Sequence, residues 1–135
     1  MLKRFSEYLT EQELLCEMAH VGFVGDLEVC VFSREGGNIP HVHVHDAGTL
    51  GKEFDACVKL ESPEYFSHGS HTDKLNTGDK HRLDRFMNDD PKDGVFRTNY
   101  EAAVYMWNKS NPQHKVEIER YDDGRPIIPD YTTLH

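Results

Sequence analysis

Apolar and polar residues alternate with period two in four stretches of the chain, and with a period near 3.6 in three others. Residues 27–33 put Leu27, Val29 and Val31 on one side and Glu28, Cys30 and Phe32 on the other, the pattern of a half-buried strand. In His41-Val42-His43-Val44-His45 the valines share one face and the histidines the opposite one. Pro40 stands where a strand can begin, because its missing N–H is tolerated there. Residues 53–60 repeat the scheme, with Phe54, Ala56, Val58 and Leu60 apolar and Asp55, Cys57 and Lys59 polar. Val116 and Ile118, set between charges, predict a short fourth strand over 114–120.

The helical pattern comes first at residues 11–20. Thr10 is a good N-cap with Glu13 completing a capping box, and Leu9 and Leu14 can staple the entry. Leu14, Leu15, Met18 and Ala19 form one face, and Gly22 and Gly25 end the element. A second helix starts at a cap on Thr77 or Asp79 and runs to about Met87, with Leu83, Phe86 and Met87 inward. A third follows the capping pair Thr98 and Glu101 to about Lys109, with Tyr100, Ala103, Val104 and Trp107 at i, i+3, i+4 and i+7. Glycine and asparagine mark a turn at 34–38, residues 61–76 read as a loop, and 88–94 break the second helix from the third.

These elements predict an α+β fold. A small antiparallel sheet of three to four strands is packed on its valine face by about three helices, as a single domain over 1–120 with an extended tail over 121–135. The expected core is Val29, Val31, Val42, Val44, Phe54, Ala56, Val58, Leu83, Phe86, Val104 and Trp107.

Composition narrows the class. The chain has 135 residues, 37% of them hydrophobic, and recurrent large apolar side chains, which excludes a disordered tract. A net charge of −9 repels a phosphate backbone, so direct nucleic-acid binding is not expected, and Lys80-His81-Arg82 with Arg85 is read as a solvated helix face. The acidic residues Asp89, Asp90, Asp93, Asp122 and Asp123 serve solubility, or meet a basic protein partner. Three cysteines, Cys16, Cys30 and Cys57, without tight spacing, suit reduced thiols and a cytoplasmic setting. No apolar run approaches the roughly 20 residues of a membrane span.

The candidate chemistry lies on the polar face of the sheet. Residues i and i+2 of a strand stand about 6.6 Å apart, close enough for two imidazoles to share an ion, whereas i and i+4 stand about 13 Å apart. One divalent ion, zinc first, would therefore take His41 with His43, or His43 with His45. Further ligands would come from Asp55 or Cys57 on the next strand, or from His68, His71 or Asp73 in the loop. The same histidines can act as general acid and base without metal, and Cys57 facing a histidine is a thiol nucleophile candidate.

The run His41-Val42-His43-Val44-His45 resembles the signature of the histidine-triad nucleotide hydrolases, which implies His43 as nucleophile. It departs from that family in being followed by Asp46 and Ala47 rather than by apolar residues. A wider segment, Leu27-Glu28-Val29-Cys30-Val31-Phe32-Ser33, a Gly/Asn turn and then Ile39-Pro40-His41-Val42-His43-Val44, resembles the small bacterial domains of unknown function termed DUF4160. There Ile39 replaces a proline, and the resemblance covers roughly residues 27–60. It implies His41 and His43 as site positions and a toxin–antitoxin or mobile-element setting. The expected function is a small bacterial binding or regulatory module with a His-rich site on a strand. The alternatives are a metal-dependent or His-based hydrolase of phosphate esters or nucleotides, and a pure protein–protein interaction module.

Overall fold

The computed structural model describes residues 18–32, 39–47, 54–66, 72–91 and 96–135. The described residues form strands β1 (Met18–Val24), β2 (Leu27–Phe32), β3 (His41–Asp46) and β4 (Asp55–Lys59), then helices α1 (Thr77–Asn88) and α2 (Asn99–Ser110), and a 3-10 turn at Tyr131–Thr133. The strands make one antiparallel sheet in sequence order. Among the described residues two helices therefore stand where about three were expected for the chain.

The difference falls on the first predicted helix. Met18, Ala19 and His20 belong to β1, and residues 11–17 lie outside the described residues. Gly22 does not stop a helix; it sits inside a strand because the Phe86 ring of α1 lies on it. A Cβ there would stand 2.5 Å from Phe86 Cε1, closer than atoms tolerate. Gly25, at φ +59°, opens the two-residue turn with Asp26 that joins β1 to β2.

The valines meet as the alternation requires. Val29, Val44 and Ala56 lie in one cross-strand row and Val42 opposes Val58, all fully buried with Leu60, Leu83 and Trp107. Phe54 and Phe86 are partly buried against them, so the expected core is the observed one. Helix α1 is capped by Asn76, whose Oδ1 accepts from Asp79 N–H at 2.7 Å, rather than by Thr77 or Asp79. Thr98 caps α2 as expected, its Oγ1 accepting from Glu101 N–H. His81, Arg82 and Arg85 are exposed on α1. No helix among the described residues is long and apolar enough to cross a membrane.

The predicted fourth strand is absent from 114–120, where Val116 is buried and the ladder pairing is an isolated bridge from Arg120 to Pro126. The partner of Val116 is a side chain: Asn108 Oδ1 accepts from Val116 N–H at 2.7 Å and Asn108 Nδ2 donates to Val116 C=O at 3.0 Å. One amide thus supplies the donor and acceptor a neighbouring strand would have offered. Beyond it, the chain end does not stay extended on the surface, because Tyr131 and Leu134 are buried in the core.

Two phenols converge on one carbonyl there. Tyr100 Oη donates to Leu60 C=O at 2.9 Å and Tyr131 Oη donates to the same oxygen at 3.2 Å. Burial, aided by the Glu61 charge, pushes Tyr100 up to about 12, and burial with Tyr100 and Asp84 nearby holds Tyr131 well above the usual phenol range. An unfolded tyrosine ionises near ~10. Both groups thus keep their protons longer in the folded chain, so their contribution is complete below about pH 10 and is lost as pH rises through about 12. Urea midpoints measured across that window should fall steeply, and Tyr100→Phe should flatten the fall; an unchanged slope in that variant would count against the assignment.

Candidate metal centre

The polar face of the sheet is organised in rows. Cys30, His43 and Cys57 stand opposite one another across β2, β3 and β4, and Glu28, His45 and Asp55 form the next row. This polar face is not exposed. His43 and His45 are fully buried, and His41, Asp55 and Cys57 are buried as well, so β3 is enclosed on both faces. The aromatic rings of Phe66 and Trp107 lie against His41, with centroids 4.8 and 5.4 Å away.

Each buried imidazole is fixed by an oxygen at Nδ1. His41 Nδ1 donates to Ile39 C=O at 2.8 Å and His45 Nδ1 to Asp46 C=O at 2.9 Å, while His43 Nδ1 lies 3.1 Å from Asp55 Oδ1. A carbonyl or ionised carboxylate can only accept, so Nδ1 carries a proton, which leaves Nε2 as the nitrogen that can face a metal. Asp55 is itself held, its N–H donating to Asp73 Oδ2 at 2.9 Å. An oxygen acceptor on the far nitrogen is what orients a histidine toward a metal and raises its basicity.

His41, His43 and Cys57 can hold a metal ion. One donor atom from each lies within 4.8 Å of the other two, and Cys57 Sγ stands 3.8 Å from His43 Nε2. The i, i+2 pair His41 and His43 is thus brought together with the thiol of the next strand. Asp55 stands behind His43 rather than among the donors. His45 stays out of the group, one row further along. His68 and His71 lie outside the described residues. Cys30 and Cys57 are separated by β3. Two strand spacings put their Cα atoms about 10 Å apart, beyond the ~7 Å limit for a disulfide.

Sequence reasoning missed His20, which it placed at the end of a helix. The structure stands it on the same sheet face, beside Glu28 and Cys30. The signal was present in Gly25-Asp26, a two-residue hairpin turn between apolar runs. Comparison with family models, curated proteins and solved structures finds no match for the chain.

Proposed function

We propose that this domain is a small binding module organised around a zinc-class ion held by His41, His43 and Cys57. The observation that carries the reading is the convergence of two oriented imidazoles and a thiol, buried together on adjacent strands. Nitrogen and sulfur donors are the zinc preference, and burial of all three side chains leaves a substrate no approach to the ion. The bound ion would supply folding energy, since its ligands come together only in the folded sheet. A regulatory setting of toxin–antitoxin or mobile-element type rests on the DUF4160 resemblance of the His41-Val42-His43 strand alone.

One further observation speaks for a hydrolase. Cys57 Sγ is 3.5 Å from His43 Nδ1, which is 3.1 Å from Asp55, the company of a nucleophile, base and orienting acid. Two facts weigh against it. Cys57 is 1% exposed and His43 fully buried, so a substrate has no approach, and thiol and carboxylate address the same ring nitrogen.

Chelator-treated full-length protein should therefore melt earlier than zinc-loaded protein. At zinc a thousandfold above Kd the linkage adds about 4 kcal/mol, or roughly 10–20 °C in a chain of this size. Cys57→Ala, which removes the soft donor and still fits the space, should lose most of that shift. Calorimetric melts decide the matter: an equal shift in Cys57→Ala and wild type would sink the reading.

A further inference from the structure

Strand β1 carries a bulge at Val21. Val24, Phe23 and Gly22 pair with Leu27, Glu28 and Val29, but the next partner of Cys30 is His20. In an unbroken ladder Val21 would face Cys30, and His20 would face Val31 on the valine side. The extra residue turns His20 to the opposite face while Val21 keeps its side chain against the core. The bulge thereby gathers His20, Glu28 and Cys30, with one donor atom of each within 4.8 Å of the others.

The three differ in depth. Cys30 is fully buried, whereas the side chains of Glu28 and His20 are 13% and 45% exposed. His20 Nδ1 and Glu28 Oε2 are hydrogen-bonded at 2.6 Å. The group is therefore open at the sheet edge and anchored by a thiol inside. A solvent-facing histidine–carboxylate pair contributes little by itself, whereas the interrupted ladder sets it over a buried thiol and completes a three-donor group.

We propose that His20, Glu28 and Cys30 form a second zinc-class site, exchangeable with solvent and separate from the inner centre. The imidazole, carboxylate and thiolate are a mixed N, O, S donor set suited to zinc. An ion entering from the edge displaces the proton between His20 and Glu28 and that of the Cys30 thiol. The two sites lie over β1–β2 and over β3–β4, two strand spacings or about 10 Å apart. Metals that share a bridging ligand sit about 3.5–4 Å apart, so the two ions share no ligand, although Cys30 of the edge site faces His43 of the inner one across β2 and β3.

Cobalt(II) titration of the untagged, chelator-treated full-length chain tests this, because each site adds a thiolate-to-cobalt absorption band. Wild type should saturate in two steps at two cobalt ions per chain. His20→Ala should saturate at one ion, with its cooperative melt retained because the side chain is half exposed. Cys30→Ser should also lose one equivalent. A wild type that takes one ion, unchanged in His20→Ala, overturns the edge site and leaves the inner one standing. A single equivalent that His20→Ala abolishes supports the edge site and removes the inner one. No saturable uptake by wild type overturns both.

Discussion

Val44→Asp should leave no folded protein under ordinary conditions. Val44 is fully buried at the centre of the sheet, level with Val29 on one side and Ala56 on the other. A carboxylate there finds apolar neighbours in its row. An uncompensated buried charge costs on the order of 5 kcal/mol, which matches the whole stability of many domains at about 5–15 kcal/mol. Far-ultraviolet circular dichroism with a urea titration measures the outcome. Ile127→Asp, at a position 40% exposed, is the control and should shift the midpoint by little. A wild-type transition in Val44→Asp would show that the valine face is not the core.

Tyr131→Ala should be the next most damaging change, although the residue lies near the chain's C-terminal end. The ring is fully buried, its hydroxyl donates to Leu60 C=O, and its N–H donates to Asp84 Oδ1 at 2.9 Å. Truncating a buried aromatic costs about 3–5 kcal/mol. Tyr131→Phe keeps the ring and should cost about 1 kcal/mol, the net worth of one hydrogen bond. Guanidinium unfolding of the two variants separates the terms. A cost below 1 kcal/mol for the alanine variant would mean that the end of the chain does not complete the core.

The fold was legible where a pattern has one structural meaning. Alternation located β2, β3 and β4, and the capping pair Thr98 and Glu101 located α2. It was misleading where two meanings compete. Leu14, Leu15, Met18 and Ala19 fit a helical stripe, yet Ala19 and Val21 pack on the core from a strand, and the bulge breaks the alternation that would have revealed it. Val116 and Ile118 alternate as in a strand, but periodicity does not say whether a strand or an amide side chain supplies the partner. The candidate site was half legible. The i, i+2 spacing brought His41 and His43 together, and the neighbouring strand supplied Cys57, as pleating allows. Burial of the whole histidine face was not legible, because histidine suits an exposed strand equally well; the Nδ1 contacts of His41 and His45 are to local backbone carbonyls that alternation does not reveal, and that of His43 with Asp55 is tertiary.

The Leu60 carbonyl that receives two hydroxyls also orders events in time. The sheet is a meander whose strands pair with their sequence neighbours, so its loops are short and its entropy of closure is small. Tyr100 reaches Leu60 across 40 residues and Tyr131 across 71. These long closures need a surface already built, so the chain end is expected to dock after the barrier. Contacts made after the barrier leave the folding rate alone and set the unfolding rate. The carbonyl of Leu60 is in that sense a latch, and the deficit of Tyr131→Ala should appear in the unfolding arm of its chevron.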